Sequence, residues 1–203
     1  TAPADAERVL LSTAGSSVDT VLAVYTGTTL PTLKRIASND NTSTADLTSS
    51  LIFSVTAGTT YTIAIAAKSG AEGLIAYKLA ALPTNDAFAT ARLLTGPAAV
   101  VTGSNANATR ETGEPLVVAR ARGLTLWYKW VAPATRRYQI STYSLGDPVV
   151  GVYTGTALDT LTQVAFNDDS GPYFDSLVTL TATAGVTYYL CVDASSGTGG
   201  SFT

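Results

Sequence analysis

The sequence predicts an all-β chain made of two tandem antiparallel β-sandwich units of the jelly-roll kind, the first lacking its N-terminal strands. Three observations carry that expectation. Threonine supplies 33 of the 203 residues, beside 17 Gly and 10 Tyr, while Met and His are absent. A chain rich in Thr, Val and Tyr and poor in helix-favouring residues suits pleated, half-buried surfaces and excludes a helical bundle. Apolar and polar residues alternate with a period of two through many short stretches. The third observation is that the chain repeats itself.

Val24-Tyr25-Thr26-Gly27-Thr28 returns as Val152-Tyr153-Thr154-Gly155-Thr156, and residues 24–41 match 152–169 at eleven of eighteen positions. Ala2-Pro3-Ala4 matches Ala132-Pro133-Ala134 upstream, and Ala57-Gly58-Thr59-Thr60-Tyr61 matches Ala184-Gly185-Val186-Thr187-Tyr188 downstream. The offset drifts from 130 through 128 to 127, so small loop insertions separate two units of about 128 residues. Leu82-Pro83-Thr84 reads as the linker, which places one unit in residues 1–82 and a second, nearly complete one in 83–203.

Each strand follows from its pattern. Leu51, Phe53 and Val55 alternate with Ser50, Ser54 and Thr56, and Tyr61, Ile63 and Ile65 with Thr62 and Ala64, across a turn at Ala57-Gly58-Thr59. The second unit repeats this with Val178, Leu180 and Ala182, then Tyr188, Leu190 and Val192, leaving Cys191 on the opposite face in the place of Ala64. Further strands are expected near 18–25, 125–131, 137–142, 149–153 and 163–167, between Gly, Asn, Asp and Pro clusters. One helical candidate remains, with Asp86 capping a turn that carries Phe88, Ala91 and Leu94. The strands that residues 98–131 bring to the second unit have no counterpart before Thr1, so the first unit is expected to show an unpaired strand edge and part of its apolar interior, around Leu11, Leu22, Phe53 and Ile63. The second unit stops at Ser201-Phe202-Thr203, where the first continues through Leu74 to Leu79 as a strand. Both boundaries are expected to fall inside a unit, with the missing strands coming from upstream sequence or from a neighbouring chain.

Composition narrows the function. Without His there is no Ser-His-Asp or Cys-His catalysis, and the commonest transition-metal ligand is missing. A net charge of −3 gives no footprint for nucleic acid, and no run approaches the 18 apolar residues of a membrane span. The single Cys191 closes no intramolecular disulfide.

A further set of motifs lies in the second unit, Asn85-Asp86-Ala87-Phe88-Ala89, Gly113-Glu114-Pro115, Leu126-Trp127-Tyr128-Lys129-Trp130 with Ala132-Pro133-Ala134, Val152-Tyr153-Thr154-Gly155, Asn167-Asp168-Asp169 and Val186-Thr187-Tyr188-Tyr189, and the first unit adds Val18-Asp19-Thr20-Val21-Leu22. With these motifs the chain resembles tandem bacterial pre-peptidase C-terminal domains, β-sandwich modules appended to secreted proteases and large surface proteins. The resemblance spans essentially the whole chain; the chain departs from many relatives in lacking a cysteine pair near these loops. It implies secretion or a cell-surface location, a non-catalytic accessory role and, from collagen-binding cousins, calcium.

Acidic clusters are the chemistry on offer. Asp147 precedes one strand and Asn167-Asp168-Asp169 follow another, and two such loops at one end of a sandwich would present hard oxygens suited to Ca²⁺. The same residues also build Asx-turns that need no ion, and both readings stay open. The first unit offers Asp19, Asn39 and Asp40, with Asn41 in place of the third acid. A second Ca²⁺ candidate combines Asn85, Asp86, Glu111 and Glu114, favoured by the resemblance and opposed by capping through Asp86. Trp127 and Trp130 lie three apart and so face opposite sides of a strand, as core residues or as a platform for sugar rings. Arg110, Arg120, Arg122, Arg136 and Arg137 read as solvated loop charges, and Gly197-Thr198-Gly199-Gly200-Ser201 as a flexible turn. The expected function is a non-catalytic extracellular structural or adhesion module of a longer tandem-repeat protein, partnered by neighbouring repeats or copies of itself and assembling head-to-tail by strand addition. The alternative is an accessory module that binds a polysaccharide or matrix protein for a secreted hydrolase or protease.

Overall fold

Alternation of apolar side chains with Thr, Ser and small residues, as in Ser50–Ser54, and near-continuous apolar runs, as in Pro148–Thr154, drive the long elements into strands. The structure is a computed structural model that describes residues 1–2, 7–143, 147–170, 174–195 and 199–203. The repeat residues Pro3 and Ala4 and the turn residues Gly197 and Thr198 lie outside the described residues. The chain is all-β: strands are joined by loops and short 3-10 turns, and among the described residues no helix is long and apolar enough to cross a membrane. It divides into two units, Thr1–Leu82 and Pro83–Thr203.

The first unit holds β1 (Arg8–Ser12), β2 (Thr20–Thr26), β3 (Lys34–Asn39), β4 (Ser50–Ser54), β5 (Thr62–Ala67) and β6 (Lys78–Ala81). They form two antiparallel sheets, ordered β4-β1-β6 and β3-β2-β5. Val9, Leu11, Leu51 and Phe53 of one sheet close a core with Leu22 and Val24 of the other, as a sandwich requires.

The second unit holds β7 (Arg92–Leu94), β8 (Gly103–Ser104), β9 (Leu126–Val131), β10 (Arg136–Ser141), β11 (Pro148–Thr154), β12 (Thr162–Asn167), β13 (Leu177–Ala182), β14 (Thr187–Ala194) and β15 (Ser201–Phe202). A five-stranded sheet, β12-β11-β14-β9-β7, faces the pair β10-β13, with β8-β15 alongside. Tyr128, Trp130, Val150, Val152, Leu190 and Val192 of the large sheet pack against Tyr138, Val178 and Ala182 of the small one. Its outer face carries a second cluster of Trp127, Val149, Tyr153 and Cys191 beneath Val117 and Phe88. Trp127 and Trp130 therefore do face opposite sides of β9, and both are buried.

The repeat is visible in the ladders. β2 meets β3 with Leu22 opposite Asn39 and a bulge between Val24 and Tyr25; β11 meets β12 with Val150 opposite Asn167 and the bulge between Val152 and Tyr153. β5 and β14 pair with the other edge of these central strands, Ile63 opposite Val24 and Leu190 opposite Val152. Gly27 and Gly155 then turn the chain at φ +113° and +139°, where an added Cβ would lie 2.5 Å from the Thr32 carbonyl oxygen and 3.1 Å from that of Thr160.

Three expectations need correction or completion. The helical candidate after Asp86 is a 3-10 turn of three residues, Phe88–Thr90, and its N-cap position is Ala87, without a side-chain cap. Leu94 is not on it: from Arg92 the chain is extended as β7, because the open edge of β9 supplies the hydrogen bonds that a second helical turn would otherwise have to make. β7 runs parallel to β9, the one parallel pair among the described strands. In the first unit Leu11, Leu22 and Phe53 are covered, whereas Ile63 is 37% exposed. β14 lies between β11 and β9, but among the described residues β5 pairs with β2 alone.

Both tight turns after the central strands depend on glycine for space as well as for φ. Gly27→Ala should lower the unfolding free energy by more than about 2 kcal/mol, while Gly58→Ala, with φ +75° and open space around its Cβ position, should lose about 1 kcal/mol. Urea denaturation of the two variants measures the difference; equal losses would mean that the approach to Thr32 is relieved at no cost.

Candidate functional site

At one end of each unit the same residues stitch two strands together. Asn39 Oδ1 accepts from the Ser50 amide at 2.9 Å and its nitrogen donates to the Asn41 carbonyl at 3.2 Å. Asn167 does the same with the Leu177 amide at 2.9 Å and the Asp169 carbonyl at 3.3 Å. The Ser49 hydroxyl donates to the Thr20 and Asp40 carbonyls. Ser176 Oγ lies 2.7–2.9 Å from the carbonyls of Pro148, Asn167 and Asp168. The Asn side chains of the two Asn-Asp motifs are thus turn residues, satisfying backbone groups that would otherwise be orphaned.

The acids beside them differ between the units. Carboxylate oxygens of Asp147, Asp168 and Asp169 lie within 4.8 Å of one another. Asp147 Oδ1 and Asp168 Oδ1 are screened from solvent and make no hydrogen bond. Arg120, a loop residue read from the sequence only as a solvated charge, donates from Nε to Asp168 Oδ2 at 2.7 Å and from Nη2 to Asp169 Oδ2 at 3.1 Å. Three carboxylates facing one guanidinium leave the corner anionic. In the first unit Asp19 and Asp40 occupy the matching positions, and Asn41 replaces the third acid. With the Asn41 side-chain amide assigned so that its nitrogen faces acceptors, that nitrogen lies 3.2 Å from Asp19 Oδ1 and 2.9 Å from the Asp40 carbonyl. Lys68 Nζ pairs with Asp40 Oδ2 at 2.6 Å. That corner is satisfied by the protein itself.

Asn85, Asp86, Glu111 and Glu114 are brought together as staples. Asn85 donates to the Trp127 carbonyl at 3.0 Å and accepts from the Trp127 amide at 2.9 Å. Asp86 accepts from the Thr109 amide and from its hydroxyl, the latter at 2.9 Å. Glu111 Oε2 accepts from the Phe88 amide at 2.8 Å, giving the 3-10 turn from across the loop the cap that Asp86 does not provide. Glu114, 1% exposed, accepts from Trp127 Nε1 and from the Glu111 amide, both at 2.7 Å. These acids hold backbone and indole N–H groups, so the loop 109–114 is tied to the Asn85–Phe88 segment and to β9.

A buried acid that the sequence reading passed over is Asp193. It stands where the first unit has Ala66, and this polar residue in an otherwise apolar strand was the available signal. Asp193 is fully buried and accepts from the amides of Gly123, Leu124 and Ala194 at 3.0, 2.8 and 2.6 Å. Of the other arginines, Arg110 donates to the Glu114 carbonyl, and the Arg136 guanidinium lies 4.8 Å from the centre of the Tyr138 ring.

Burial raises the pKa of Glu114 and of Asp193 above the ordinary carboxylate range, and the hydrogen bonds they accept offset this only in part. The folded chain therefore holds these protons more tightly than the unfolded chain. Their contribution to stability is full below the unfolded pKa, about 4, and is lost as pH rises through the raised values. Denaturation midpoints taken upward from pH 4 should fall along this limb, and Glu114→Gln and Asp193→Asn should each flatten it; an unchanged limb in both variants would assign it to other groups. No protein-family model matches the chain, and none of the curated proteins compared with it is similar, so the functional reading rests on this geometry.

Proposed function

We propose that the chain is a non-catalytic structural repeat of a secreted or cell-surface tandem-repeat protein, serving adhesion or fibre assembly. The observation that supports this reading most is what the two units share. Gly27 and Gly155, Asn39 and Asn167, and Ser49 and Ser176 all build turns, while the buried acids are not shared. Duplication has kept a scaffold and let its polar decoration vary, as a module used for its shape requires. The coding sequence on either side is the test: further copies of the unit of about 128 residues are expected. A lone pair of units beside a hydrolase or protease domain, with saturable binding of the chain to a polysaccharide film, would replace this reading by the accessory-module one.

The corner of Asp147, Asp168 and Asp169 fits a calcium ion. Its donors are hard oxygens on loops, two of them buried without a partner, and Arg120 balances only part of the charge. Calcium binding is part of the same proposal, and the first unit shows how to remove it. Asp169→Asn recreates the Asn41 arrangement, so this variant should be as stable as the parent chain or more so in chelator and should lose the calcium response. For the parent, a dissociation constant of about 10⁻⁴ M and about 10 mM free Ca²⁺ give about 2.7 kcal/mol of stabilisation. Equal melting temperatures in calcium and chelator would remove the ion from the proposal.

A further inference from the structure

On the outer face of the large sheet in the second unit, Phe88, Ala91, Leu158, Lys129, Tyr189 and Thr156 line a pocket of about 410 Å³. Lys129 and Tyr189 come from the sheet itself, opposite one another on β9 and β14. Alternation along β9 puts Lys129 on the same face as Trp127. Leu158 opens the 3-10 turn Leu158–Thr160 and packs against the cluster that holds Trp127 and Tyr153. Its counterpart in the first unit, Leu30, is 87% exposed, so the repeat alone does not make this wall. The other wall is Phe88, whose amide is held by Glu111 Oε2 at 2.8 Å and whose ring lies 4.5 Å from that of Tyr189, inclined by 39°. Every lining residue lies between positions 88 and 189.

The polar groups in this pocket are unpaired. Lys129 is half-buried, and its register neighbours on this face, Tyr189 and Leu93, carry no charge. Among the described residues its ammonium has no ion pair and no hydrogen bond, and the Tyr189 and Thr156 hydroxyls have no hydrogen bond either. Asp159 shares the turn with Leu158 but does not line the pocket. The site therefore offers one uncompensated positive charge, two hydroxyls and the apolar surface of two rings and an isobutyl group. An ammonium without a partner favours an anion, and aromatic rings favour the C–H face of a sugar. A bare phosphate or sulfate would leave the rings unused. A neutral sugar would leave the ammonium unpaired, whereas a carboxylated sugar ring engages both.

We propose that this pocket binds a hexuronate residue of an acidic polysaccharide, with its carboxylate on Lys129 Nζ and the apolar face of its ring against Phe88 and Tyr189. The Tyr189 and Thr156 hydroxyls then meet hydroxyls of the sugar. This goes beyond the repeat-module reading and does not depend on it: the scaffold that the two units share would carry the contact, and only the second unit would make it.

The test titrates the intact chain with a galacturonate tetrasaccharide, followed by calorimetry and by tryptophan fluorescence, since the Phe88 ring lies 5.3 Å from that of Trp127. Saturable binding at one site per chain is expected, weakening as salt is added. The methyl ester of the same tetrasaccharide, which is neutral, should bind at least about ten-fold more weakly. Lys129→Met keeps the aliphatic stem and removes the charge, so it should cause a similar loss while the melting temperature without ligand stays near the parent's. If that variant fails to fold, the ester still decides. No saturation by the tetrasaccharide, equal binding of its ester, or undiminished binding by a folded Lys129→Met chain overturns the site. Tetraglutamate binding as tightly as the uronate would overturn the assignment to a sugar in favour of an acidic peptide. Further repeats in the coding sequence would leave the module reading standing under each of these outcomes.

Discussion

The central strand of each unit, β2 or β11, is the constraint on which the rest depends. Leu22 and Val24 in one, Val150 and Val152 in the other, are completely buried, so the backbone between them has no water to bond. Its N–H and C=O groups must be met by strands on both edges, β3 and β5 or β12 and β14. The bulge after Val24 and Val152 adds local twist, and the glycines that follow let the chain fold back at once. The two units keep this arrangement although most of their inward-facing residues differ, since apolar cores tolerate exchange of volume more readily than ladders tolerate loss of a partner.

What surrounds this centre separates the units. In the second, Phe88, Ala91, Val117 and Val118 cover the outer face of the large sheet. Phe88 sets its ring centre 5.3 Å from that of Trp127 and 4.5 Å from that of Tyr189. Under this cover Trp127 and Cys191 are wholly buried, and burial pushes the Cys191 thiol well up, which leaves it a packing residue and a poor nucleophile. The matching outer face of the first unit carries Ala23, Ala64 and Ala66, small side chains whose exposure costs little. Glu114 and Asp193 exist only where that cover exists, because a buried carboxylate needs the converging N–H groups that the covering loops bring.

The loop corner illustrates how small a change turns structure toward chemistry. Both units need the Asn and Ser stitches to close the same turn. Asn41 completes one corner with a neutral amide, whereas Asp169 adds a third carboxylate to the other and leaves two oxygens without donors. Arg120 reaches in from a distant loop, but one guanidinium meets only two of the three acids.

Much of the architecture was legible in the sequence by itself. Period-two alternation marked β4, β5, β13 and β14 and assigned their inner faces, and the Val-Tyr-Thr-Gly repeat aligned ladders that agree down to the bulge. It also placed Trp127 and Trp130 on opposite faces. These are local properties, written in the order of side chains along one strand. Only the tertiary structure decided that Leu94 lies on a parallel edge strand, that Ile63 stays open while Leu190 is covered, and that Arg120 meets Asp168. It likewise decided that Glu111 caps Phe88 while Asp86 holds Thr109. Each of these depends on which strand or loop closes beside another across tens of residues. Alternation tells a side chain which face it occupies; it carries no information about the neighbour it will find there.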